Sequence, residues 1–287
     1  MPMVISGRLG QRGRERLLNA SAYLLLILAI VIIFFPLAWM LSVSFRPNLE
    51  VMQMPPRWLP EVFTLEGYRK IFSSSRYLVV FLNTTIISLV VTVLSLLLGA
   101  MAAYALARFN FVGQRMVLMF LITTQMFPLV LLCIPYFRIF ITLGLYDTRT
   151  SLVIVYLTFT LPFCILMLRS YFINIPRDIE EAAMVDGCSR LGAIFRTLVP
   201  MSYPAFVGAG LYTFLLAWNE FLFAVVLIES WENRVLTMAI YSLMAEFVTD
   251  WNAMMAFSVL ASLPLVVAFI FLQRYMVQGM TAGALTS

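Results

Sequence analysis

An all-α, polytopic membrane fold follows from three properties of the chain. Charged residues make up only 11% of 287 residues, against 62% hydrophobic, whereas a soluble domain needs about 25% charged residues to cover its surface. The apolar residues cluster into six runs, at 17–41, 79–107, 116–137, 151–171, 202–228 and 253–273. Each reaches or approaches the ~20 residues a helix needs to cross a hydrocarbon core. The runs are continuously apolar rather than alternating, which fits helices that satisfy their own backbone groups and not the strands of a barrel. A mean hydropathy of +0.96 agrees.

The N-terminal segment, 1–16, carries Arg8, Arg12, Arg14 and Arg16 against the single acid Glu15. Basic density beside a first span predicts a cytoplasmic N-terminus. Counting along the chain puts eleven basic residues on that side and eight on the other, so the N-terminal cluster carries most of the orientation. The first run, 17–41, is too long for a signal-peptide core and lacks a small-residue cleavage pattern after it, so it reads as a retained anchor. Six spans would return the C-terminus, with Arg274 and the tail 274–287, to the same side.

The loop at about 42–78 faces outward in this topology. It is rich in proline (Pro47, Pro55, Pro56, Pro60), and Leu65 to Phe72 has the pattern of a short interfacial helix. Span two ends in an alanine-rich stretch in which Gly99 and Ala103 make a smooth surface for close helix packing. Pro128, Pro135, Pro162 and Pro264 lie within or at the ends of spans and are candidate kinks. A second outward loop, about 229–252, holds Glu229, Glu232, Glu246 and Asp250 with Trp231 and Trp251. Tryptophan at such a boundary reads first as a headgroup anchor and second as a contact for an external partner.

The most informative stretch is the polar loop 172–200. Pro176 suits a first helical turn, and Asp178, Glu180 and Glu181 place negative charge at the positive end of its dipole. Ala182 and Ala183 continue that helix, Asp186-Gly187 stops it, and Ser189 caps the next. Leu191, Ile194, Phe195 and Leu198 then come at i, i+3, i+4 and i+7, which predicts one apolar stripe. The stripe could rest on lipid, pack on the spans, or enter a groove on a cytoplasmic protein.

Asn219 and Glu220 fall inside the fifth run. A carboxylate near the bilayer centre costs about 2.5–3.5 kcal/mol on insertion scales, so it should face the bundle interior or a water-filled path. These two residues either bond backbone and polar groups at a helix interface or line a pathway.

Other chemistry is narrowed by what the sequence lacks. The chain contains no histidine, which excludes every scheme needing a histidine base or ligand. Cys133, Cys164 and Cys188 are widely spaced and suggest neither a disulfide framework nor a metal site. The net charge of +5 is scattered over span ends, where it meets lipid headgroups rather than nucleic acid. No phosphate-binding loop is present, so the chain is expected to bind no nucleotide or other cofactor and not to be an enzyme.

Glu181-Ala182-Ala183, then Asp186-Gly187, then Phe195 and Pro200 resemble the EAA motif of permease subunits in bacterial ABC importers. Asn83-Thr84, Ala102 to Phe109, Trp218 to Phe223 and Gly279 to Gly283 resemble the carbohydrate-uptake branch of that family, over essentially the whole chain. The resemblance implies a type I importer permease, with 17–273 as the transmembrane domain and 172–200 as its cytoplasmic coupling loop. It implies that Glu181 meets a basic residue of a cytoplasmic ATPase dimer, which uses ATP and Mg. Gly187 would set the angle between the two short helices, beside Ala182, Ala183 and Asp186. Leu191, Ile194 and Phe195 would supply the apolar part of the contact. Gly279, Thr281 and Gly283 would bring the tail to the ATPase. Further implied partners are a second six-span permease, an extracytoplasmic solute-binding protein and a carbohydrate, in a bacterial cytoplasmic membrane. Cys188, where alanine is commoner, and a tail ending without a basic residue depart from the pattern. Importers of polyamine or phosphate share the loop, and an ion-driven carrier is the rival from another class.

Overall fold

The computed structural model describes residues 6–244 and 249–284, all helix and loop apart from two isolated bridge residues. Four helices are long and apolar enough to cross a membrane by themselves: Leu18–Val43, Ser75–Arg108, Arg149–Ile173 and Trp251–Gln273. Two bent pairs raise the number to six if each is one span: Gln114–Met126 with Leu129–Thr142, bent by 96°, and Arg190–Met201 with Tyr203–Trp218, bent by 78°. The helices used below are α1 (Ser6–Val43), α2 (Glu66–Ser73), α3 (Ser75–Arg108), α4 (Gln114–Met126), α5 (Cys133–Thr142), α6 (Arg149–Ile173), α7 (Asp178–Val185), α8 (Arg190–Ala193), α9 (Tyr203–Trp218), α10 (Leu222–Leu227) and α11 (Trp251–Ala284).

Two runs differ from the sequence expectation. The third, expected as one helix over 116–137, is broken at Phe127-Pro128, where proline lacks the donor that would continue α4. Pro162 and Pro264, also candidate kinks, instead lie inside the uninterrupted helices α6 and α11. The fifth, expected over 202–228, ends as α9 at Trp218 and resumes as the short α10. Polar side chains drive that second break: the Asn219 amide turns back to the Leu215 carbonyl at 2.9 Å, and Glu220 accepts from the Phe223 and Ala224 amides at 2.8 and 3.1 Å. A carboxylate that caps the next helix releases the chain from the preceding one.

The chain forms two compact units. The first contains residues up to Lys70 together with 249–259. Its apolar α1 stretch, 26 residues and about 39 Å long at 1.5 Å per residue, buries none of its most hydrophobic window. The loop after it is held by two buried charges. Arg46 donates to the Arg57 carbonyl and the Ser42 hydroxyl and stacks on Trp39, while Glu50 accepts from the Glu61 and Val62 amides. Trp58 packs edge-on against Phe35 and Trp39. Asp250 caps α11 through the Ala253 amide, accepts from Asn48 and pairs with Lys70.

The second unit, Ile71–Met244 with the residues from Leu260 on, is a bundle centred on α3, α6 and α9. Small residues set its spacing. A Cβ at Gly99 would stand 2.8 Å from the Cys164 sulfur, and one at Gly208 would stand 2.8 Å from the Met167 methyl. At Gly99 the Cys164 backbone carbon also lies 3.7 Å from such a Cβ, so α3 and α6 approach closely there, as the small residues of span two suggested. At Gly208 the neighbour is the flexible end of the Met167 side chain. The buried hydroxyls Ser95 and Thr160 bond across α3 and α6 at 2.9 Å.

Candidate functional site

The loop between α6 and α9 is a helix, a left-handed turn and a second helix. Its turn is a Schellman motif: the Cys188 amide donates to the Ala183 carbonyl at 3.0 Å, and the Gly187 amide to Met184 at 3.1 Å. Gly187 has φ +91°, and a Cβ there would meet nothing within 4 Å. Glycine is therefore required by backbone conformation alone. Ser189 then caps α8 by accepting from the Gly192 amide at 3.2 Å.

The loop's root was not legible in the sequence. Arg108, the last residue of α3, and Glu180, in the first turn of α7, form an ion pair whose side chains are 7% and 8% exposed. The Arg108 Nε donates to Glu180 at 2.7 Å, and its other arm reaches the Ile175 carbonyl at 3.0 Å. The Tyr104 hydroxyl donates to the second Glu180 oxygen at 3.0 Å. The available signal was the pairing of Tyr104 and Arg108, one helical turn apart in the Ala102 to Phe109 stretch, with an acid beside the Glu-Ala-Ala run. Glu180 does more than favour the helix dipole.

At the tip the residues are arranged differently. Glu181, Ala182, Asp186 and Gly187 are exposed, and Ala183 is half-buried. The expected stripe is formed in part. Leu191, Ile194 and Phe195 line one groove, exposed or half-buried, whereas Leu198 is fully buried in the bundle core. A π-helical turn over Ile194–Leu198 inserts an extra residue and takes Leu198 out of the α-helical register.

Asn219 is exposed and Glu220 mostly buried beneath α10. The Glu220 main-chain carbonyl accepts from Thr237 at 2.7 Å. The hydrogen bonds of the Glu220 carboxylate are to the backbone amides of Phe223 and Ala224. Trp218, next to them, is buried and donates to the Ala261 carbonyl at 3.2 Å. Gly279, Thr281 and Gly283 fall in the last turns of α11, and their contacts lie outside the described residues, as do the side chains of Arg8, Arg12 and Arg14 and all of Glu246.

At the opposite end, a further resemblance motif, Asn83-Thr84, has structural work. Asn83 donates to the Glu232 and Arg234 carbonyls at 2.8 and 3.0 Å, and Thr84 accepts from the Leu236 amide at 2.8 Å. Asp147, at φ 55°, accepts from the Glu229 and Ser230 amides, each at 3.0 Å, and its own carbonyl accepts from Asn233. Its burial alone would raise its pKa, but these hydrogen bonds to the ionised form outweigh it and hold the carboxyl below its usual value. Trp231 lies between the guanidinium groups of Arg76 and Arg234, at 5.8 and 4.4 Å.

The family of binding-protein-dependent transport system inner membrane components matches residues 95–282, and the chain belongs to it. It is similar to an inner membrane ABC transporter permease protein, YcjP, of Escherichia coli K12, with 38% identity covering 94% of this chain and 97% of the relative. It is also similar to the sulfoquinovosyl glycerol transport system permease SmoH of Agrobacterium fabrum (37% identity, 88% of each chain). A third relative is the trehalose/maltose permease MalG of Thermococcus litoralis (34% identity, 90% and 94%). Its fold matches a solved bacterial ABC transporter that imports alginate, with a TM-score of 0.78 at 21% identity over 96% of this chain and 99% of that one. The chain is thus a multi-pass inner membrane permease component.

Proposed function

We propose that this chain is one of two permease subunits of an ABC importer for a carbohydrate, and that it couples to a cytoplasmic ATPase through the 172–200 loop. The permeases it resembles are named for sulfoquinovosyl glycerol, for trehalose and for trehalose/maltose, which supports a sugar over a polyamine or phosphate. Both termini and the loop face the cytoplasm in this reading. A second six-span permease completes the pathway, and an extracytoplasmic binding protein delivers the solute to the outer loops. ATP and Mg are used by the ATPase and not by this chain.

The observation that carries the coupling role is the contrast within the loop: a root buried in an ion pair with the end of α3, and a tip held open by a saturated turn. A stiff element fixed to the bundle can pass a displacement inward without absorbing it. In this reading Glu181 pairs with a basic group of the ATPase, while Ala182, Ala183, Asp186 and Gly187 form the close-approach corner. Leu191, Ile194 and Phe195 add an apolar flank, and Gly279, Thr281 and Gly283 bring a second contact from the tail. Asn219 and Glu220 are proposed to shape the pathway wall, with Glu220 acting through the α10 cap.

The test is purification of the tagged chain in mild detergent, with co-purifying proteins identified by mass spectrometry, for the native chain and Gly187→Pro. Recovery of an ATPase and a second permease with the native chain, and loss of the ATPase alone in the variant, is the expected result. A native chain that purifies alone and still transports after ATP depletion, with the ion gradient held, overturns the proposal in favour of an ion-driven carrier.

A further inference from the structure

Beside the loop lies a groove of about 660 Å³, and Leu191, Ile194 and Phe195, the apolar flank of the proposed ATPase contact, form part of its wall. Its size falls in the ~300–1,000 Å³ range of small-ligand sites. Leu97 and Met101 of α3, Phe172 of α6, Phe206 of α9, and Leu191 and Phe195 of the bent segment supply its apolar walls. Tyr104, Phe109 and Arg190 line it at one end, and the same three line an adjoining polar recess of about 180 Å³. That recess is completed by Arg108, Arg177, Glu180, Glu181 and Met184.

The two spaces, one apolar and one polar, share Tyr104, Phe109 and Arg190 as a common wall. In the polar recess Arg108 and Glu180 neutralise each other, which leaves Arg177 and Arg190 against Glu181. The recess therefore carries one uncompensated positive charge. Arg190 stands at the junction, its guanidinium 5.2 Å from the centre of the Phe109 ring. The segment that contributes Arg190, Leu191 and Phe195 is bent by 78° from α9. If α9 crosses the bilayer, this segment runs close to the membrane surface, at the level where headgroups meet acyl chains. A cationic end at that depth attracts anionic headgroups, and an apolar trough running from it along α3 receives a hydrocarbon chain by van der Waals packing.

We infer that these two spaces together bind one anionic phospholipid from the leaflet on the loop's side. One acyl chain lies between Met101, Phe195 and Phe206, and the phosphate sits against Arg190 and Arg177. The site goes beyond the transport reading, because it makes the seat of the bent segment depend on lipid charge. Bound lipid fills the space between α3 and the second half of the loop, so lipid composition sets how firmly that half is held.

The experiment uses the full-length chain, with whatever subunits co-purify, reconstituted in vesicles of equal phosphatidylglycerol and phosphatidylcholine and released into native mass spectrometry. The expected result is one retained phosphatidylglycerol per chain, preferred at least fivefold over phosphatidylcholine, as ~1 kcal/mol of charge attraction per basic residue requires. Arg190→Gln should remove the preference. Met101→Trp should fill the trough and remove the adduct, while Leu82→Trp, on an exposed position of the other half of α3, leaves it. Equal retention of both lipids, or a preference unchanged by Arg190→Gln and Met101→Trp, overturns the site. So does a complex without lipid in which Met101→Cys is shielded from a membrane-soluble maleimide, since a protein then occupies the groove.

Discussion

Glu180 and Glu181 are adjacent in sequence and occupy opposite environments. Glu180 is buried and fully engaged by Arg108 and Tyr104, whereas Glu181 projects from the same helix with an exposed side chain. Root and tip of one loop thus divide the work that the acidic run seemed to share. The buried acid holds the loop to the bundle, and the exposed acid is left for a partner. In the proposed coupling role, affinity for the partner and attachment to the body would then change independently under mutation.

The largest effect that would break this contrast is expected at the root. Glu180→Ala leaves the Arg108 guanidinium buried without its counter-charge and should destabilise the chain by about 3–5 kcal/mol. Thermal unfolding in detergent measures it, and a variant as stable as the native chain would show that the pair does not anchor the loop. Next is Tyr104→Phe, which sharpens the comparison by deleting a single hydrogen bond to the ionised Glu180, with an expected loss of about 1.5–3 kcal/mol. Hydrogen exchange along Asp178–Val185 should quicken, and no change there would leave Arg108 as the sole anchor.

Gly187→Ala forces a residue with a Cβ into φ +91° at a cost of roughly 1–2 kcal/mol. Because no atom lies near that Cβ, the chain should still insert and fold, while transport driven by ATP falls. Unchanged transport would mean that the angle at Gly187 is not used. Glu181→Gln should alter stability by no more than ~0.5 kcal/mol, as a surface substitution does, yet weaken recovery of the ATPase in pull-down. Equal recovery would remove Glu181 from the contact. The smallest effect is a pH control at the other end of the bundle. The Asp147 carboxyl is held below its ordinary value, so its clasp is fully present above the unfolded value of about 3.9 and is lost as pH falls through the lower folded value. Protection of the Glu229 and Ser230 amides should track that titration, and protection persisting after it would refute the clasp.

The spans were legible because hydropathy alone reports them, and α3, α6 and α11 begin and end close to the apolar runs. The turn at Gly187 and the cap at Ser189 were legible because both are local chemistry, complete within a few residues. The root pair was not, since Arg108 and Glu180 are 72 residues apart and nothing in either neighbourhood names the other. The stripe was legible only in part, for a different reason. Leu191, Ile194 and Phe195 share one groove, but placing Leu198 with them presumes a continuous α-helix, and the π turn over Ile194–Leu198 breaks that spacing. Glu220 showed its polarity in the sequence but not its position, because a carboxylate inside a span and one that ends a span look alike as letters.

The Schellman turn at Gly187 has a thermodynamic meaning for whatever meets the loop. The amides of Gly187 and Cys188 and that of Gly192 are already bonded within the chain, so this corner has little conformational freedom left to surrender. Association pays heavily for loops that must be ordered on contact, and this one arrives ordered. In the proposed coupling role, an ATPase would grip and release the corner through repeated cycles over a small, exposed contact, with the entropy cost settled when the chain folds rather than at each encounter.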